Sequence, residues 1–210
     1  DIYYLNGAIV DYVENPNRSD ITKRLTEVAR NLTPNDHLII YFAGHGYLDE
    51  ETEEGFWFPV NADKEDDTEW ISNSYLKRKI RKIKATNILV IADTCFSGAL
   101  ISRGISTSGQ QYPSSALQKY LQTKSRIVIS SGGTKPVLDS GGGRNSIFAS
   151  ALIEQIESFE RPFTASDLYL ALRDQVTENA LALEYDQTPM KGTLPRSGHE
   201  GPDFVLIPTY

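Results

Sequence analysis

Asn87-Ile88-Leu89-Val90-Ile91-Ala92-Asp93-Thr94-Cys95-Phe96-Ser97-Gly98 is the stretch from which the rest of this chain is read. Five apolar residues, Ile88 to Ala92, run without interruption, the pattern of a strand buried on both faces of a parallel sheet. The run stops at a polar cluster, Asp93-Thr94-Cys95, with Ser97 and Gly98 close behind. In open α/β sheets, ligand-binding and catalytic groups gather just beyond the carboxyl ends of strands. Cys95 is the single cysteine of the chain. A lone cysteine is ordinarily a small inert hydrophobe, so its position needs support from elsewhere.

That support lies upstream. His37-Leu38-Ile39-Ile40-Tyr41-Phe42-Ala43 is a second apolar run, and it breaks at Gly44-His45-Gly46. Paired side by side in a parallel sheet, two such strands bring His45 and Cys95 to one rim. A cysteine nucleophile needs a thiolate and a base within hydrogen-bond reach.

Together, Tyr41-Phe42-Ala43-Gly44-His45-Gly46 and Asp93-Thr94-Cys95-Phe96-Ser97-Gly98 resemble the caspase-like clan of cysteine proteases, in which a His lies about 50 residues before the Cys. The closer likeness is to metacaspase-type and prokaryotic members, which place Asp-Ser or Asp-Thr before the cysteine where true caspases place Gln-Ala. It continues through Ser130-Ser131-Gly132-Gly133 and Pro136 to Gly143, and resumes at His199-Glu200-Gly201-Pro202-Asp203-Phe204-Val205. The resemblance implies an α/β, caspase-like sandwich whose central, mostly parallel sheet is flanked by helices. It implies one peptidase domain over 1–210, with a large-subunit-like part over about 1–100, a linker loop over 101–125 and a small-subunit-like part over 126–210. Such folds begin with a central strand and a helix that have no counterpart upstream of Ile2. A parallel sheet lacking a central strand carries a long unpaired edge. A regulatory partner, or an N-terminal segment completing the fold, is therefore expected.

The implied activity is peptide-bond hydrolysis through a Cys-His dyad and an acyl-enzyme, acting on protein or peptide substrates. Cys95 attacks, and His45 moves the proton. The backbone N–H groups of Gly46 and Cys95 are the candidate oxyanion donors. Asp93 lies two residues before the nucleophile and in an extended chain projects to the same face. A carboxylate there pairs with Lys or Arg before the cut and repels Asp. Basic specificity is what the likeness to metacaspases implies. Asp139 is the second candidate for that pocket, with a turn former before glycines as its plain alternative. Asp93 has an alternative role as a helix cap. Self-cleavage candidates in and beside the linker are Arg103, Lys119, Lys124 and Arg126.

Composition sets the outer bounds. The chain has 210 residues, 40% hydrophobic and 23% charged, enough for one domain with a real core. Its net charge of −7 argues against a nucleic-acid-binding body. No apolar run of 18 exists, so no membrane span is expected. One cysteine excludes an intrachain disulfide and fits a reducing, cytoplasmic setting. One Cys and three scattered His give no zinc-ligand spacing, and no metal is assigned. The acidic runs Asp49–Glu54 and Glu65–Glu69 lack the regular series of a calcium loop, so Ca²⁺ activation rests on the resemblance alone. The next Arg after Cys95 is Arg103, too far for the Cys-x₅-Arg loop of a phosphatase. No Gly-x-Ser-x-Gly occurs, and Gly141-Gly142-Gly143 lacks the Lys-Ser/Thr of a phosphate loop. The remaining alternative is a latent or non-catalytic caspase-like module, although this chain keeps both His and Cys.

Elsewhere the pattern predicts a strand from Ile2 to Leu5 running on toward Val13. Helices are expected from Ser19 or Asp20 to about Leu32 and over Ser72–Lys84, whose basic face reads as solvated. Others are expected over Ser114–Leu121 and Ser146–Phe159, and from Thr164, Ser166 or Asp167 onward. Further strands are expected at Phe56–Val60, Arg126–Ser131 and Phe204–Ile207, with an irregular return from Gln187.

Overall fold

In the computed structural model, residues 2–5, 8–95, 97–101, 114–133 and 145–208 are described. The chain opens on an antiparallel pair, β1 (Ile2–Leu5) and β2 (Ala8–Asp11), rather than one continuous strand. Helix α1 (Arg18–Asn31) starts earlier than its apolar spacing suggests. Asn17 is the cap, accepting from the Asp20 N–H, and the Asp20 carboxylate accepts from the Asn17 N–H in return. Asp20 thus closes a capping box instead of starting the helix. Strand β3 (His37–Ala43) passes through Gly44 directly into β4 (His45–Asp49). With β5 (Glu54–Phe58) and β6 (Ile71–Ser72), β4 forms a separate antiparallel sheet. The acidic run 49–54 is its turn, where the Asp49 carboxylate accepts from the N–H groups of Glu51 and Thr52.

Helix α2 (Asn73–Arg81) is capped by Ser72, whose Oγ accepts from the Tyr75 N–H, and it ends three residues before Lys84. Then come β7 (Asn87–Asp93), α3 (Ser114–Gln122), β8 (Ser125–Ser130) and α4 (Ile147–Ser158). They are followed by β9 (Phe163–Thr164), α5 (Ala165–Leu181), β10 (Met190–Thr193) and β11 (Val205–Leu206). Thr164 caps α5 in a second capping box with Asp167.

The main sheet has the order β10-β8-β7-β3. Strands β3, β7 and β8 are parallel, and β10 joins antiparallel to β8. β10 carries no periodic signal: Met190-Lys191-Gly192-Thr193 reads as irregular and becomes a strand only because β8 offers it an edge. The last strand, β11, pairs with β9 outside this sheet. Alternation along the strands then makes two cores. Leu89, Ile91, Ile127 and Ile129 face α4 and α5, packing on Phe148, Leu168 and Leu172. Ile88, Val90, Ala92 and Val128 belong to the opposite core, with Leu25 of α1 and Leu76 and Ile80 of α2. This is a caspase-like three-layer sandwich, its central strands parallel and flanked by helices.

Every residue of β7 and β8 is buried. β3 is different. Its even-numbered residues turn toward the α1 side, while Ile39 and Tyr41 remain 48% and 47% exposed. Among the described residues β3 is an edge strand of the sheet, so its apolar run does not mean burial on both faces. Beside it lies a groove of about 900 Å³, lined by Tyr12, Leu25, Ile40, Phe42, His45 and Trp57 among others. No helix among the described residues is long and apolar enough to cross a membrane.

Candidate active site

β3 and β7 run in register from His37 opposite Asn87 to Ala43 opposite Asp93. They end level, and the Gly44 N–H donates to the Asp93 carbonyl at 3.2 Å. Both chains then turn, so His45 and Cys95 emerge on one rim. Gly46 shows how tightly the two turns approach. A Cβ there would overlap the Cys95 carbonyl oxygen and lie 2.5 Å from Thr94 Oγ1. Only glycine lets β4 pass so close to the strand end. His45 is exposed and Cys95 half-buried.

The end of β8 braces this turn. The Ser131 N–H donates to the Ala92 carbonyl at 2.9 Å, and Ser131 Oγ donates to the Thr94 carbonyl at 3.4 Å. The Gly98 N–H donates to the Gly133 carbonyl at 3.1 Å. A Cβ on Gly98 would sit 2.8 Å from the Gly133 backbone. Gln187 Nε2 donates to the Ser131 carbonyl at 2.9 Å. The Ser-Ser-Gly-Gly stretch therefore holds the cysteine turn from behind, a role that nothing in its residue types announces.

Asp93 is the last residue of β7 and is buried, 8% exposed. The chain bends at Thr94-Cys95. The strand alternation stops before the cysteine, so a shared face for Asp93 and Cys95 does not follow from the pleat alone. Asp93 lies against the start of α4. Its Oδ2 accepts from Ser146 Oγ at 2.5 Å and from the Tyr41 hydroxyl at 3.4 Å. The Ser146 hydroxyl both donates and accepts: it also caps α4, accepting from the Ala149 N–H at 2.8 Å. Burial, and then the charge of Asp93, push the Tyr41 phenol pKa up, so Tyr41 stays a neutral donor. Neither Tyr41 nor Ser146 is legible as a site residue in the sequence. The usable signal for Tyr41 is register: it faces Ile91, one turn of the pleat from Asp93.

The other candidates divide. Asp139 and Arg103 lie outside the described residues. Lys119 is exposed within α3, and Lys124 is exposed just before β8. Arg126 is corrected: it lies inside β8, 3% exposed, with its guanidinium bound to four backbone carbonyls. A protease needs accessible chain, and this residue is buried within the paired strand. At the same far end, His199 Nδ1 accepts from the Arg126 N–H at 3.1 Å, and burial lowers the His199 pKa. Among the described residues no group of three or more His, Cys, Asp and Glu side chains is gathered for a metal. The carboxylates of Asp63 and Asp66 accept from local backbone N–H groups.

This arrangement meets its relatives at the level of family. The caspase domain family of C14 peptidases matches residues 5–194, and the chain belongs to that family of cysteine peptidases. No curated protein matches it significantly. Among solved structures it is similar to caspase-1 from Spodoptera frugiperda, at 16% identity and a TM-score of 0.56, over 86% of this chain and 69% of that one. It is also similar to a Geobacter sulfurreducens protein, at 17% identity and a TM-score of 0.52, over 90% of this chain and 79% of that one. At such identities the likeness speaks for the fold.

Proposed function

We propose that this protein is a cysteine endopeptidase that cuts after Arg or Lys, with Cys95 as nucleophile and His45 as its base. The observation that supports this most directly is the contact of the His45-Gly46 and Thr94-Cys95 turns at the level ends of two parallel strands, beside a buried Asp93. In the proposed reaction, Cys95 Sγ attacks the scissile carbonyl as His45 takes the thiol proton. The C–N bond breaks, His45 returns that proton to the leaving amine, and an acyl-enzyme remains. Water, deprotonated by His45, releases the acid and restores the thiol. The N–H groups of Cys95 and Gly46 hold the oxyanion.

Asp93 faces the cationic side chain before the cut, steadied by Ser146 and Tyr41, with Asp139 as a second carboxylate. Self-cleavage falls at Arg103 or Lys124. The single cysteine fits work in a reducing cytoplasm. We also propose that the open edge of β3 is covered in the working protein by a strand and helix, from a regulatory partner or an N-terminal segment. Exposed Ile39 and Tyr41 and the groove along the edge support that reading.

The test is hydrolysis of fluorogenic peptides that differ only in the residue before the dye: Arg, Lys, Asp or Ala. Cleavage after Arg and Lys is expected. Cys95→Ala should abolish it, and Asp93→Ala should lower kcat/KM at least about tenfold, the loss of a charge-assisted contact. Cleavage after Asp would overturn the specificity. Failure to cleave with calcium present and the β3 edge occupied would favour the latent interaction module.

A further inference from the structure

The opposite end of the sheet carries a second concavity, separated from the Cys95 rim by the length of β7, roughly 20 Å. It holds about 260 Å³ between the end of α2 and the starts of β7 and β8. Arg81, Lys82, Lys84, Lys124 and Arg126 line it, with Ser197. Five cationic residues meeting at one hollow is unexpected in a chain of net charge −7. Among the described residues, none of the five has a carboxylate within 4 Å.

Arg126 is the built part of this site. It is 97% buried by its 3% exposure. One terminal guanidinium nitrogen donates to the carbonyls of Thr86 and Ser125, both at 2.8 Å, and the other donates to those of Ala85 at 2.9 Å and Ile83 at 3.4 Å. Its Nε has no partner. Carbonyls satisfy donors but do not cancel a net charge, and a buried charge is costly without a counter-ion. The guanidinium also occupies carbonyls just beyond the end of α2, groups that would otherwise repel an anion there. Glu200, whose field reaches Arg126, has its carboxylate on the Lys124 backbone N–H at 3.4 Å.

We propose that this hollow binds a compact phosphate anion, of the pyrophosphate kind, whose charge complements the cationic side chains that line it. Arg and Lys are the side chains that recognise phosphate oxygens. The volume falls short of the ~300 Å³ at which pockets hold drug-sized ligands, which suits a phosphate group and not a nucleoside. The site is independent of whether Cys95 is a nucleophile.

The experiment is calorimetric titration of the whole chain with inorganic pyrophosphate at constant ionic strength, beside the Arg81→Gln/Lys124→Gln double variant. Both side chains are exposed, so the ligand-free melting temperature should not change. Lys84→Gln, also exposed, is the second variant. The expected result is saturable one-site binding, at least tenfold weaker in the double variant and at least threefold weaker in K84Q. No saturable binding at millimolar pyrophosphate, or equal affinity in the variants, would overturn the proposal. So would binding to vesicles bearing phosphorylated headgroups with none to free pyrophosphate, which would make this a membrane-facing surface.

Discussion

β7 and β3 are neighbours, seven residues each, in register and parallel, and each leads into one half of the candidate dyad. Yet β7 is buried throughout, while β3 alternates and leaves Ile39 and Tyr41 largely in solvent. Composition does not separate them; their neighbours do. Among the described residues, β7 has a strand on each side and helices over both faces, whereas β3 has one partner strand and one covered face. The cysteine therefore rides on the most constrained strand of the sheet, and the histidine on its least constrained one. The Gly44 bond to Asp93 directs the even-numbered backbone groups of β3 toward β7. The N–H and C=O groups of Ile39, Tyr41 and Ala43 consequently face the open edge.

The largest expected effect tests that contrast directly. Leu89→Ala in β7 should cost about 2–5 kcal/mol, and Ile39→Ala in β3 less than about 1 kcal/mol, read as shifts in the urea midpoint. Equal costs would mean that the outer face of β3 is covered in solution. Next comes the junction of the two strands. Gly46→Ala forces a methyl group into the Cys95 carbonyl. It should cost about 1–3 kcal/mol and remove peptide hydrolysis with it. A stable, fully active G46A would mean that the two turns sit farther apart.

Hydrogen exchange sharpens the contrast without mutation. The amides of Ile39, Tyr41 and Ala43 should exchange much faster than those of β7. Protection of all three on adding a candidate partner would identify the strand that completes the sheet, and slow exchange in the isolated chain would remove the need for one. The smallest effect lies at the far end of the sheet. Burial depresses the His199 pKa below its ordinary 6.5, so the unfolded chain takes up its proton first. The stability contributed is present above pH 6.5 and is lost as pH falls through the lower, folded value. His199→Asn should flatten that part of the acid limb in urea melts at pH 7 and pH 5.5. An unchanged limb would assign the acid sensitivity to other groups.

Much of the fold is legible in local pattern. Ile88–Ala92 and Leu38–Ala43 both announce strands as unbroken apolar runs, without telling which of the two is central. The helices announce themselves by spacing and caps, although the decisive caps at Asn17 and Ser146 stand one to three residues from where periodicity alone puts them. The two halves of the candidate dyad are legible because chemistry-bearing residues follow apolar runs. β10 is not legible, since Met190–Thr193 is a strand only through its contact with β8. Nor are Tyr41 and Ser146 as partners of Asp93, because about 52 residues separate each from it and only the pleat and the α4 N-terminus bring them together.

By itself, the sequence determined that two apolar strands are followed within two residues by His45 and Cys95, because apolar runs and the residues that break them are local properties. Tertiary structure alone decided which strand is central and which is edge. It also decided that Asp93 is held by Tyr41 and Ser146, and that Arg126 is a buried clamp and not a cleavage point. Those outcomes depend on which surfaces meet, and a residue's partners across a sheet are set by register and covering helices, not by its neighbours along the chain.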